Sequence, residues 1–168
     1  MNTLVCNFFG GPGAGKSVHA AYSFYRLKKD GFIAELITEY AKDLVYENSI
    51  EFLNKYPQKV FAEQRHRIDR VYGKVEMCIV DSPMLMPIFY HENLDQDYVL
   101  SEFNRYNNYN IFVQREGTFE TEGRIHSVEE SKVVDKLILD FFERNKIPYI
   151  IVNQKDEFAS YANIVSAQ

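Results

Sequence analysis

Short apolar runs alternate along the chain with longer amphipathic or polar stretches, and turn-forming residues separate them. Thr3 to Phe9 predicts a short buried strand. Lys16 to Lys29 predicts a helix, stopped by Asp30-Gly31. Phe32 to Thr38 is a second apolar run of strand length. Glu39 to Glu47 and Ile50 to Tyr56 predict short helices, with Pro57 as a break, and Gln58 to Gly73 predicts a longer polar helix carrying Phe61, Ile68 and Val71. Val75 to Val80 predicts a third strand, ending at Asp81-Ser82-Pro83. Asp97 to Tyr106 reads as helix, Asn110 to Gln114 as a fourth strand, and Arg115 to His126 as a polar loop. Ser127-Val128-Glu129-Glu130 has the form of a capping box, in which the Ser oxygen caps the first turn and the Glu reaches back. Beyond it Val133, Leu137 and Phe141, with Val134, Ile138 and Phe142, recur at helical spacing. Pro148 to Val152 predicts a fifth strand. Strands alternating with helices imply an α/β fold: a five-stranded parallel sheet with helices on both faces, in three α/β/α layers. No repeat, low-complexity tract or linker interrupts the pattern, so residues 1–168 read as a single domain. Ligands of such sheets lie at the carboxyl ends of the strands, and every candidate residue below falls at such an end or in the loop over it.

Gly10-Gly11-Pro12-Gly13-Ala14-Gly15-Lys16-Ser17 fits G-x-x-x-x-G-K-[ST] at every fixed position, between a predicted strand and a predicted helix. The chemistry requires that composition. Several backbone N–H groups must approach phosphate oxygens, and side chains there would obstruct them. The helix N-terminus adds a positive dipole. The lysine of such a P-loop reaches the β- and γ-phosphates, and the Ser hydroxyl ligates Mg²⁺. Gly11, Gly13, Ala14, Gly15, Lys16, Ser17 and Val18 are thus the expected donor-phosphate site, and Mg-ATP the expected ligand. Cys78-Ile79-Val80-Asp81 is an apolar strand ending in a carboxylate, the form of a Walker B element. Asp81 is expected to share the Mg²⁺ shell with Ser17, and capping the turn before Pro83 is its competing role.

Glu39 follows the second strand and would face the γ-phosphate, where it can bind an acceptor hydroxyl and take its proton. Its alternative is an acidic residue in a helix first turn. Gln64 and Arg65 on the polar helix are candidates for contacting the acceptor, although Arg65 and Asp69 also stand at ion-pair spacing. Phe9 to Ser17, Glu39 to Lys42, Gln64 to Asp69 and Ile79 to Asp81, in this order, resemble the ribosylnicotinamide-kinase-like ATPases and their nucleoside and nucleotide kinase relatives, small phage-encoded members included. The resemblance spans roughly the whole chain, and only the P-loop is highly specific. It implies a P-loop NTPase fold, Mg-ATP as phosphoryl donor and a small nucleoside-like acceptor. It also implies Glu39 as acceptor-binding or base residue and Asp81 as metal-side acid.

Arg115 and Arg124 frame a glycine-containing acidic loop at about 115–126 that resembles a kinase lid. Such arginines meet the charge of the transferring phosphoryl, and Gly117 and Gly123 would let the loop close. A solvated Arg/Glu loop is the competing reading. Asn153, after the last strand, is placed to neighbour the donor base. The tract Asn153-Gln154-Lys155-Asp156 departs from the guanine-reading N-K-x-D, and Ser82-Pro83 excludes a D-x-x-G after the third strand, which argues against a GTPase.

Composition narrows the partners. A net charge of −5 gives a broad nucleic-acid surface no support. Thirteen Phe and twelve Tyr with no Trp predict an aromatic core, with Tyr40, Tyr46, Phe61, Phe89 and Tyr90 as candidate stacking residues. Cys6 and Cys78 lie apart in apolar runs, as reduced buried thiols of a cytoplasmic protein. No apolar run reaches transmembrane length and no leader pattern opens the chain. The leading expectation is an ATP-dependent kinase of a nucleoside-like or nucleotide small molecule. Two readings stand beside it: an ATP-hydrolysing switch with a protein partner, and a kinase acting on a nucleotide or base within nucleic acid.

Overall fold

A computed structural model describes residues 2–116 and 127–168. Five strands, β1 (Leu4–Phe9), β2 (Ala34–Ile37), β3 (Met77–Val80), β4 (Asn107–Gln114) and β5 (Ile150–Asn153), form one parallel sheet in the order β2-β3-β1-β4-β5. Seven helices are described: α1 (Lys16–Lys29), α2 (Tyr40–Tyr46), α3 (Ile50–Lys55), α4 (Pro57–Asp69), α5 (Gln96–Phe103), α6 (Val128–Asn145) and α7 (Glu157–Ser166).

Strand alternation divides the core in two. Val5 and Phe9 of β1, Cys78 and Val80 of β3 and Phe112 of β4 meet Phe61 and Ile68 of α4, Val99 and Phe103 of α5, and Phe141 and Phe142 of α6. Leu4, Cys6 and Phe8, with Met77, Ile79, Ile111 and Val113, face Ala20 and Leu27 of α1 and Ile164 of α7. Both faces of the sheet are therefore covered, and β1 is buried along its whole length, as a central parallel strand must be.

Differences from the predicted elements have local causes. Pro57 marks the break between α3 and α4 as expected, and it belongs to α4 as its first residue, where a missing N–H costs nothing. Strand β4 begins at Asn107, before the apolar run. Its polar half is held by buried amides: Asn7 Nδ2 donates to Asn108 Oδ1 at 2.9 Å and to Asn110 Oδ1 at 3.1 Å. Helix α7 and a 3-10 turn at Met86–Phe89 were not predicted. The Asp156 carboxylate caps α7 by accepting the Ala159 N–H, and Ser160 and Ile164 are the helix's buried face against the α1 layer. The predicted capping box on α6 is present, with Glu130 N–H donating to Ser127 Oγ and Ser127 N–H to Glu130 Oε2.

Candidate active site

The carboxyl ends of β1, β2 and β3 deliver the P-loop, Glu39 and Asp81 to one edge of the sheet. Gly15 caps α1 from the left-handed region, at φ 97°, a conformation that a side chain resists. The Val18 and His19 amides bond back to the Gly15 carbonyl at 3.0 and 3.1 Å, and the Lys16 and Ser17 amides are the donors that a helix start leaves without a carbonyl one turn earlier. Lys16 Nζ lies across the loop and donates to the carbonyls of Gly10 (2.8 Å) and Gly11 (3.3 Å). Burial lowers the Lys16 pKa, against the opposing pull of Glu39, Asp81 and Asp135. Burial likewise raises the Glu39 pKa; Lys16 is the strongest counterweight, Asp81 adds to the rise, and a hydrogen bond with Ser82 restrains it.

Asp81 is 8% exposed, and its Oδ1 is buried with no hydrogen-bond partner among the described residues. Such an atom is costly unless something meets it. Asp81 also lies close enough to Lys16 and Glu39 to perturb both. No group of three His, Cys, Asp or Glu side chains among the described residues forms a cage for a metal. The set fits Mg²⁺, which is bound through one or two protein oxygens together with water and phosphate. Ser17 and Asp81 are the residues that would hold it.

A cavity of about 680 Å³ opens in front of the loop, within the range of small-molecule sites. Gly13, Gly15, Lys16, Ser17 and Val18 line its donor side, and Glu39, Lys42, Gln64, Ser82, Tyr90 and His91 line the other, with Tyr46 and Leu53 at the helical wall. Burial raises the Tyr90 pKa and lowers that of His91.

Gln64 is 4% exposed and braces the loop that carries Glu39: its Oε1 accepts the Tyr40 N–H at 3.0 Å and its Nε2 donates to the Thr38 carbonyl at 3.2 Å. Arg65 does not reach the cavity. It pairs with Glu102 of α5 at 2.8 Å and with Asp69 at 3.7 Å, because one residue further along α4 turns about 100° away from Gln64. Arg67 is also engaged, with Asp43 at 2.8 Å and Glu63 at 3.1 Å.

At the donor end the structure gives three of the expected residues partners within the fold. The Gly11 amide faces α6 rather than the cavity and donates to Asp135 Oδ1 at 2.5 Å. Arg115 is held by the same carboxylate, Nε and Nη2 each at 3.3 Å from Oδ2, with its side chain 9% exposed, and it is near enough to Lys16 and Tyr90 to lower the pKa of each. The Asn153 Oδ1 accepts the Lys155 N–H in a local turn. Ala14 is buried, and its N–H closes a turn on the Gly11 carbonyl at 3.2 Å. Arg124, with Gly117 and Gly123, lies outside the described residues.

Sequence reasoning missed Asp135 and Gln154. The Gln154 Nε2 donates to the Gly13 carbonyl at 3.2 Å, and its Oε1 accepts the Glu116 N–H at 2.8 Å. It also missed His19, wholly buried behind the loop between Ser160 Oγ (2.7 Å) and the Gln154 carbonyl (3.0 Å). Asp135 sits on the polar side of an amphipathic helix, where carboxylates are ordinary, and no spacing signal singles it out. His19 stands three residues beyond the motif's lysine, and only that proximity marks it.

The sheet order, the glycine-capped loop and the acid at the end of β3 define the class: a P-loop NTPase domain, three-layer α/β/α. A family model described as "AAA domain" matches residues 5–159, and the chain belongs to that family. No curated protein sequence matches it. Among solved structures, the fold is similar to thymidylate kinase from Ehrlichia chaffeensis, with a TM-score of 0.65, 14% identity and 99% of both chains covered. It is also similar to deoxyadenosine kinase from M. mycoides bound to dCMP and dCDP products, with a TM-score of 0.59, 19% identity, and 98% of this chain and 97% of that one covered. The dCTP-bound form of that enzyme gives 0.58, 17% and 97% of both chains. At these identities the likeness is one of fold. Among the described residues no helix is long and apolar enough to cross a membrane.

Proposed function

We propose that this protein is a phosphotransferase that moves the γ-phosphoryl group of Mg-ATP to a nucleoside-like or nucleotide small molecule. The observation that carries the reading is the convergence of Lys16, Glu39 and Asp81 from three strand ends: Lys16 and Glu39 line one cavity with room for an acceptor, and the buried Asp81 carboxylate acts on both. The nucleoside and nucleotide kinases with the same fold support it.

The Lys16 and Ser17 amides at the start of α1 and Lys16 Nζ bind the phosphates. On binding, the Lys16 ammonium exchanges its contacts with the Gly10 and Gly11 carbonyls for phosphate oxygens. Mg²⁺, when bound by Ser17 and Asp81, supplies charge neutralisation on the phosphate oxygens. Glu39, held by the Gln64 brace, orients an acceptor hydroxyl and takes its proton as the acceptor oxygen bonds to Pγ and the bond from Pγ to the β,γ-bridging oxygen breaks. Burial raises the Glu39 pKa, which makes its carboxylate a better base than an ordinary one, and Lys16 and Lys42 favour the ionised form. Most of the acceleration comes from positioning and electrostatics.

The test is mass-spectrometric detection of phosphate transfer from Mg-ATP to a pool of ribosylnicotinamide, nucleosides, nucleoside monophosphates and short DNA, with Lys16→Ala as control. A phosphorylated product absent from the control names the acceptor. ADP and free phosphate alone would replace this reading with an ATP-hydrolysing switch, and labelled DNA would replace the small-molecule acceptor.

A further inference from the structure

Arg115 and Glu116 leave the end of β4 side by side, and each is joined to the P-loop through one side chain from elsewhere in the fold. Asp135 of α6 accepts the Gly11 N–H on one oxygen and the Arg115 guanidinium on the other. Gln154, between β5 and α7, donates to the Gly13 carbonyl and accepts the Glu116 N–H. The two relays, Arg115–Asp135–Gly11 and Glu116–Gln154–Gly13, grip the loop on either side of Pro12.

Both relays are anchored in rigid structure. Asp135 belongs to the 18-residue helix α6, and the Ser131 carbonyl one turn earlier backs directly onto Gly11. Gln154 donates its own N–H to the Gln114 carbonyl at 2.9 Å, and its carbonyl takes a hydrogen bond from His19 Nε2. A carbonyl only accepts, so His19 carries its hydrogen on Nε2. In the neutral ring Nδ1 then accepts from Ser160 Oγ, which ties the second relay to α7.

A glycine-rich loop has much backbone freedom to lose on ordering around an anion. Affinity improves when that loss is incurred in folding instead of in binding. We infer that Asp135 and Gln154, which belong to no nucleotide-binding motif, are positioning residues that pre-shape the phosphate loop from its two sides and so set affinity for a triphosphate. The inference rests on the Mg-ATP reading above.

Calorimetric titration of the full chain with Mg-ATP and with magnesium tripolyphosphate separates the two ideas. Wild-type binding of Mg-ATP establishes the donor site, and its absence defeats that reading and this inference together. Given wild-type binding, Asp135→Ala is expected to weaken Mg-ATP about tenfold or more, and Gln154→Ala about fivefold, as lost hydrogen bonds to a charged or a neutral partner imply. Asp135→Asn keeps an oxygen for the Gly11 N–H and should recover most of the loss, which a merely structural defect would not. Tripolyphosphate shares only the phosphates with ATP and should weaken in parallel. Unchanged affinity in both alanine variants, each measured below its own melting transition, overturns the inference. So does a loss confined to Mg-ATP, because the base or sugar would then be what these residues hold.

Discussion

Gly11→Ala tests the seating of α6 on the P-loop most directly. A methyl group built at Gly11 meets the Ser131 carbonyl oxygen at 2.4 Å, the Asp135 Oδ1 at 3.0 Å and the Ser131 carbonyl carbon at 3.2 Å. Carbon and oxygen approach comfortably to roughly 3.3 Å, so the loop and the helix must part by about 1 Å. The nearest obstacle is helix backbone, which cannot rotate aside as a side chain would. The Gly11 φ lies outside the left-handed region, so the penalty is steric rather than conformational. Overpacking of this kind costs about 1–3 kcal/mol, and in a chain of this size that lowers Tm by about 3–10 °C. The same displacement stretches the hydrogen bond from Gly11 to Asp135, and Mg-ATP affinity should fall about tenfold. Gly31→Ala is the control: nothing lies within 4 Å, and φ is 91°, so it should lose stability without losing affinity. Thermal melts and calorimetric titrations of both variants decide the matter. Gly11→Ala with wild-type Tm and wild-type affinity would refute the packing of α6 against the loop.

Gln64→Leu strands the Tyr40 N–H beside Glu39, leaves the Thr38 carbonyl only its 3.4 Å bond from Arg67, and should cost about 1–3 kcal/mol; turnover should drop while KM for ATP stays near wild type, which steady-state kinetics with the identified acceptor will check. The pH profile of kcat/KM should be bell-shaped. Glu39 must be ionised to accept a proton, so activity climbs through a pKa above the ordinary value of about 4.3. Lys16 must stay charged, and its lowered pKa makes activity fall at a pH below the ordinary lysine value of about 10.4. With ATP bound, the phosphates favour the cation, so the alkaline limb should move up in the kcat profile, and a limb that stays put would separate Lys16 from the phosphates. Asp81→Asn should raise the Mg²⁺ concentration needed for half-maximal activity severalfold, and chelation should abolish wild-type turnover; activity insensitive to both would remove Asp81 from the metal site. Arg65→Ala should lower Tm slightly through the lost Glu102 and Asp69 pairs and leave acceptor KM unchanged, and a raised acceptor KM would return Arg65 to the acceptor site.

The alternation of strand and helix and the G-x-x-x-x-G-K-[ST] loop were enough to define the fold class and to bring the glycine-rich loop and the Asp81 carboxylate to neighbouring strand ends. These are local properties. Backbone period, turn residues and a glycine pattern act within a few positions of one another, so a linear reading recovers them. Lys16–Lys29 as α1 and the capping box on α6 follow from the same locality. Helix α7 was not read from the sequence; the Asp156 cap and the burial of Ser160 and Ile164 against the α1 layer hold it.

Direction was the property that sequence could not supply. Gln64 and Arg65 are neighbours in sequence, yet the turn of α4 sends one to brace Glu39 and the other to pair with α5. Arg115 had the right type and position for a phosphate-facing arginine, and a carboxylate 20 residues later in the chain, which no spacing announces, is its partner. Asp135 and Gln154 lie 124 and 141 residues from the glycines they hold, and only the parallel sheet, by setting β4 beside β1 and β5 beside β4, brings them to the phosphate loop. The sequence by itself determined what chemistry sits at the ends of the strands. Only the tertiary structure decided which side chains face that chemistry and which support it from behind, because facing depends on helix rotation and strand order, and neither is written in any local stretch of the chain.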